Sequence, residues 1–259
     1  MAPAIYQHQD GAFYASGFAR GPWDPEAQHG GAAAAILMRA LEALDDGGAD
    51  LQIARVTYEL VKPVPLGELH VSAQIIRPGR RVQLLEGSLR TPDGTEVLKA
   101  RALRVARAPL SAGHSPDAPV PGYEGARESL SAITNPEGYV GGAMEIRFVR
   151  GHFDEPGPAV AWLRLKIPVL EGEAPSPLQR LVAAADFPNG ISTELSWQRY
   201  LFINPDLTVY IEREPRGEWI GLDAHMNVLE GGVGLAQAVL YDEQGRVGRS
   251  LQSLYVAER

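Results

Sequence analysis

The 259-residue sequence contains no cysteine. Disulfides, thiolate nucleophiles and zinc–thiolate centres are therefore excluded, and the composition is compatible with a reducing compartment. Long apolar runs are missing as well. The longest, Ala32 to Met38, falls far short of the ~20 residues a membrane-spanning helix needs. Positive charge is in deficit, with 24 Lys and Arg against 32 Asp and Glu and a formal charge of -8. That balance argues against a nucleic-acid partner, which requires a basic face to neutralise phosphates. There is no Gly-x-Ser-x-Gly elbow and no phosphate-binding loop. His8, His70, His114, His152 and His225 show no paired metal-ligand spacing, so no metal is expected.

What is present is a chain of 45% hydrophobic residues, able to bury a substantial core as one large domain or two ordinary ones. Its first ten residues, MAPAIYQHQD, have neither a basic start nor a long apolar centre. No export signal is expected, and a soluble cytoplasmic protein is the default.

Between residues 108 and 142 the composition shifts to Pro, Gly and Ser, which reads as a linker with at most one short helical piece near Ala126 to Ile133. The same organisation appears on both sides of it, in segments 1–107 and 143–259. The first has a helix from about Gly30 to Leu44, then strands near Ile53–Val61, Glu68–Ile76, Val82–Arg90 and Glu96–Val105. The second has strands near Met144–Val149 and Val160–Ile167, a helix from Pro177 to Ala185, and four strands near Leu207–Ile211, Trp219–Met226, Leu235–Tyr241 and Val247–Val256. PLGE at Pro65 recurs 150 positions later as PRGE at Pro215, and the turn ending at Gly94 recurs 151 positions later at Gly245. A shared offset across several elements points to an internal duplication. The run AAAAILMRALEAL starts with four alanines, so a sheet can approach this helix closely and wrap it.

Within INPDLTVYIEREP, apolar and polar residues alternate from Leu207 to Ile211, and Asp206 stands at the strand's entrance behind an Asn-Pro pair. Asp commonly opens turns by bonding its own backbone. Its carboxylate is either a turn device or a chemical group, and the local pattern leaves both readings open.

The segments DFPNG (Asp186 to Gly190), FINPDLTVYI (Phe202 to Ile211), GEWIGLDA (Gly217 to Ala224), LYDEQGRVGRSLQSLYV (Leu240 to Val256) and QHGGAAAAILMRAL resemble the TesB-like members of the acyl-CoA thioesterase superfamily. The resemblance spans nearly the whole chain. It implies an α+β fold of two hotdogs in tandem, each an antiparallel sheet wrapped around a central helix, and association into a homodimer or higher homo-oligomer. It also implies a cofactor-independent hydrolase of acyl-CoA. Family members use an Asp at a strand entrance, a Thr or Ser on the next strand and a Gln on the last. Asp206 and Gln252 fall on the first and third positions, while Asn227 stands on or near the second, a departure from the hydroxyl.

The duplication gives a separate view of that trio. At these offsets Asp206 corresponds to Val56, Gln252 to Arg101 and Asn227 to Arg77, so only one copy carries the set. Asp206 would accept a proton from water, Gln252 and Asn227 would align that water, and the amides of Gly30 and Gly31 at a helix start would hold the oxyanion. His29 is assigned to substrate binding. Trp23, Trp162, Trp197 and Trp219 read as core or interface residues, with the mouth of a pocket the alternative for Trp23. A non-catalytic acyl-CoA or hydrophobic-ligand binding protein on the same scaffold is the alternative reading. Hydration of an enoyl thioester is a third; it calls for a paired Asp and His, for which the sequence shows no motif.

Overall fold

The computed structural model describes residues 3–45, 47–48, 50–108, 120–123, 126–128, 131 and 133–259. The first half runs β1 (Tyr6–Gln9), β2 (Ala12–Ala15), α1 (Gly30–Glu42), β3 (Leu51–Leu60), β4 (Gly67–Arg77), β5 (Val82–Arg90) and β6 (Glu96–Ala106). A two-residue strand, β7 (Arg127–Glu128), lies where a short helix was expected, and the rest of that stretch falls partly outside the described residues. The second half has β8 (Met144–His152), β9 (Glu155–Leu165), α2 (Pro177–Ala185), the single turn α3 (Pro188–Ile191) and β10 (Tyr200–Ile203). It ends with β11 (Asp206–Ile211), β12 (Ile220–Val228), β13 (Val233–Asp242) and β14 (Gly245–Glu258).

Among the described residues the strands join one antiparallel sheet, ordered β1-β2-β4-β5-β6-β3-β11-β14-β13-β12-β9-β8-β7, with β10 on β14. Read outward from the β3–β11 junction, the two halves follow the same order. At that junction Thr57 is directly opposite Thr208, and their hydroxyls are 3.1 Å apart. This register aligns Asp206 with Arg55, not Val56. The pairing of Ala236 with Gln252 mirrors that of Leu85 with Ala102, so Ala102, not Arg101, is the counterpart of Gln252. Both of these sequence-derived equivalences are off by one residue, whereas Asn227, opposite Leu235, keeps Arg77, opposite Leu84, as its counterpart. At the Gln252 position the first half has an alanine in place of the buried amide.

α1 is enclosed as its alanines foretell: Ala32, Ala33, Ala34 and Ala35 are all at most 1% exposed. Its start packs against the end of α2, where a Cβ on Gly31 would meet the Ala183 carbonyl at 2.5 Å. Its end meets the start of α2, where Glu42 accepts from the Ser176 hydroxyl and from Gln179 Nε2. The two helices are thus antiparallel. Carbonyls at the end of α1 and just beyond it, which have no partner inside the helix, are capped by a side chain from the sheet: Arg104 of β6 donates to Leu41 O at 2.9 Å and to Leu44 O, two residues past the helix, at 3.1 Å. No helix among the described residues is long and apolar enough to cross a membrane.

Candidate active site

Helix α2 ends in the apolar run LVAAA and is followed at once by Asp186, only 4% exposed. A carboxylate at a helix C-terminus opposes the helix dipole, so its position needs other support. The antiparallel pairing supplies it by placing Asp186 at the N-terminus of α1. Oδ1 of Asp186 accepts from Gln252 Nε2 at 2.8 Å and from Asn204 Nδ2 at 2.9 Å. Oδ2 is 3.1 Å from His29 Nδ1.

The amides form a closed set. Gln252 is fully buried, and its Oε1 accepts the N–H of Asn189 at 3.2 Å. The Asn189 side chain donates to Asn204 Oδ1 at 3.2 Å, and Asn204 also donates to the Asp206 carbonyl at 3.1 Å. Such a network fixes one face of the Asp186 carboxylate, and each buried member has a partner.

His29 is the N-cap of α1 and stacks on Phe187, with ring centroids 4.6 Å apart. Tyr139 lies at the same distance on a tilted ring. Burial raises the Tyr139 phenol well above its ordinary pKa, and its hydroxyl donates to Ala183 O. His29 Nδ1 accepts the Gly31 N–H at 3.0 Å while lying beside Asp186. One ring nitrogen cannot serve both as hydrogen bonds at once: unprotonated it caps Gly31, protonated it donates to Asp186. The Ala32 and Ala33 N–H groups are bonded to the His29 carbonyl. Gly30, whose N–H opens the helix, lines the adjoining cavity.

That cavity, about 470 Å³, lies at the contact of the two halves. Trp23, His29, Gly30 and the Leu60–Val64 segment come from the first half; Asp186, Asn189 and the Leu201–Pro205 segment come from the second. His29, Asn189 and Asn204 group around Asp186, and the wall is otherwise largely apolar, with Asp24, Gln28 and Lys62 its other polar residues. Trp23 lines this wall, the alternative reading of that residue, and is stacked on Trp197 at 4.5 Å with Phe202 edge-on to both.

The expected trio does not assemble. Asn227 pairs with Leu235, which pairs with Ser253, and all three are exposed on the outer sheet face. Met226, Ala236 and Gln252 form the neighbouring row on the buried face. The two-residue period of a strand therefore puts Asn227 and Gln252 on opposite sides of the sheet. Asp206 turns along the sheet, where its Oδ1 accepts the Ser253 N–H at 2.7 Å. Of the residues the sequence indicates, Gln252, His29, Gly30 and Gly31 gather at one place, around a carboxylate the sequence does not single out. Asp186 and Asn189 were visible only as part of DFPNG, and Asn204 only as a turn residue. The available signal was an acid directly after an apolar helix, where the dipole disfavours it. The Asp–His pair for which no motif was found is also formed, by residues 157 positions apart.

Residues 115–256 match the family model for the acyl-CoA thioesterase C-terminal domain, and residues 19–105 match that for the N-terminal domain. The chain belongs to the acyl-CoA thioesterase family. Among solved structures, a hot dog fold protein of unknown function from Alicyclobacillus acidocaldarius superposes with a TM-score of 0.73 at 16% identity, covering 98% of this chain and 95% of that one. Acyl-CoA thioesterase II TesB2 from Mycobacterium marinum gives 0.68 at 14% identity, covering 98% and 94%. The tesB protein of Mycobacterium avium subs paratuberculosis gives 0.66 at 15%, covering 96% and 95%. At these identities the likeness establishes a hotdog fold for this acyl-CoA thioesterase family member. No curated protein matches the sequence.

Proposed function

We propose that this protein hydrolyses an acyl-CoA thioester to a carboxylic acid and CoA, on two hotdogs fused through the 108–142 linker. The observation that carries the reading is the Asp186 carboxylate, fixed through Oδ1 by Gln252 and Asn204, with Oδ2 beside the Gly30 helix start in the cavity wall. Water held at Oδ2 attacks the thioester carbonyl carbon while Asp186 takes one of its protons. The Gly30 N–H and the positive end of α1 stabilise the oxyanion. As the oxyanion reforms its carbonyl, the carbon–sulfur bond breaks, and the departing thiolate takes the proton held by Asp186, leaving as the free thiol and restoring the carboxylate. Gln252, buried away from the cavity, acts as a positioning residue through Asp186. His29 caps α1 and exchanges its Nδ1 bond between Gly31 and Asp186 as its proton moves.

The test is thiol release from short, medium and long acyl-CoAs by wild type, Asp186→Asn and Asp206→Asn. Loss of roughly 10²–10⁴-fold in kcat for Asp186→Asn alone is the expected result. Equal turnover by wild type and Asp186→Asn, or none from any substrate with wild type, overturns it.

One observation favours a second reading. The Asp186–His29 pair supplies a base and an acid in the same cavity, which is what adding water across an enoyl thioester requires. Loss of conjugated enoyl absorbance without thiol release would select hydration; thiol release without it selects hydrolysis.

A further inference from the structure

On the outer face of the sheet, away from Asp186, a second cavity of about 180 Å³ is lined by Arg55, Thr57, Glu59, Lys99 and Arg101. Its position follows from the sheet register. Thr57 pairs with Arg101 and Glu59 with Lys99, so β3 and β6 present three cations and one carboxylate to a single concavity. Lys99 and Arg101 share Glu86, at 3.4 and 3.3 Å. Arg55 has no such partner. Its Nε is buried, and among the described residues the Arg55 side chain makes no hydrogen bond, ion pair or ring contact. A guanidinium is charged at all physiological pH and presents five donors in a planar fork matched to oxyanions. Enclosing one of those donors beside two further cations is unfavourable unless an anion completes the set. Glu86 is already shared by two cations, and Glu59 lies four residues from Arg55 on the same strand face.

We propose that this cavity binds a phosphate-type oxyanion, held by the Arg55 and Arg101 guanidinium groups and the Thr57 hydroxyl, with Lys99 adding charge at the rim. The space equals roughly six waters at ~30 Å³ each, enough for a phosphate group with part of its hydration. β3 carries Arg55, Thr57 and Glu59 directly into Leu60, which lines the catalytic cavity. The phosphate therefore has two sources: free phosphate, or the phosphorylated end of the coenzyme thioester. The second source rests on the function proposed above; the site itself does not.

Titration calorimetry with inorganic phosphate and with adenosine 3′,5′-bisphosphate tests the site, using wild type, Arg55→Gln, Arg101→Gln and the remote control Arg150→Gln. Saturable binding that weakens about tenfold in Arg55→Gln, the loss of about one charge-assisted hydrogen bond, and persists in Arg150→Gln is expected. Should Arg55→Gln fail to fold, Arg101→Gln and Arg55→Lys carry the same comparison, the latter keeping charge but losing the fork. Asp186→Asn must bind phosphate like wild type, which separates this site from the catalytic reading. For a coenzyme source, Arg55→Gln raises KM for acyl-CoA but not for the matching N-acetylcysteamine thioester, which has no phosphate. For free phosphate, neither KM moves while phosphate binding is still lost. No saturable binding of either anion to wild type, or wild-type affinity in the Arg55 and Arg101 variants, overturns the proposal.

Discussion

A methyl group on the Cα of Gly30 would lie 2.6 Å from Oδ2 of Asp186. The helix start and the carboxylate are in contact because no side chain separates them. Gly30→Ala therefore displaces the carboxylate, which three neighbours hold in place, while alanine is the better helix former by ~0.5–1 kcal/mol. The expected outcome is a fall in kcat of about 10²-fold, the usual effect of a small misplacement, with a loss of melting temperature that the helix gain partly offsets. Gly31→Ala behaves differently. There the obstacle is the Ala183 carbonyl, a backbone atom, and overpacking the α1–α2 contact should cost ~1–3 kcal/mol in stability. Thermal melts alongside thiol-release kinetics check the contrast; parallel losses in both variants would refute it.

Asp206 and Asn227 are expected to be dispensable for turnover. Asp206→Asn keeps an oxygen to accept the Ser253 N–H and should retain activity within a few-fold. Asp206→Ala loses that bond at the strand junction and about 1 kcal/mol of stability. Asn227→Thr, on the exposed face, should change stability by less than ~0.5 kcal/mol and leave kcat alone. If Asp206→Asn is dead while Asp186→Asn is active, the carboxylate assignments are reversed.

Gln252→Leu removes a donor from Asp186 and leaves the buried Asn189 N–H without its acceptor. A stability loss of ~1–3 kcal/mol is expected from the orphaned groups. In the proposed mechanism Gln252 acts through Asp186, so kcat should fall with KM little changed, and the pH profile of kcat should shift, which a purely structural role would not produce. Denaturant unfolding and a kcat–pH series measure the two effects separately.

Asp242 is fully enclosed. Burial pushes its carboxyl up, but the bidentate Arg213 and the N–H groups of Arg216 and Gln244 outweigh that and hold it below its ordinary value. A lowered folded-state pKa means the stabilisation is complete above the unfolded value and disappears as pH falls through the folded one. Asp242→Asn should therefore cost ~1–3 kcal/mol near neutrality, since the arginine is partly exposed, and progressively less in acid. A deficit that stays constant down to about pH 3 would contradict this.

The sequence showed the architecture more fully than the site, and the reason is periodic. Apolar alternation marks strands such as Val82–Arg90 and the apolar run marks Pro177–Ala185, both matching the observed spans. The short β1, β2 and β10, four residues each, have too few positions to show a period. Gln252 was legible because its strand neighbours Leu254 and Val256 announce a buried face. Asn227 was misplaced because a position along a strand does not reveal its face unless the alternation is followed across Met226. Asp186 depends on the antiparallel packing of α1 and α2, a tertiary relation that no local pattern encodes.

Glu42 offers a test at the opposite end of the helix pair, with the opposite sign to Asp242. Burial raises its pKa; the Ser176 hydroxyl and Gln179 Nε2 offset only part of that. A raised folded-state pKa means its contribution is fully present below the unfolded value and is lost as pH rises through the folded one. Glu42→Gln keeps an oxygen to accept from Ser176 and never ionises. Its melting temperature relative to wild type should therefore rise between about pH 4 and about pH 8. A relative fall over that range would mean that ionised Glu42 stabilises the α1–α2 contact. The carboxylate would then be serving as a charge at the start of α2, and not as a buried acid that is better left neutral.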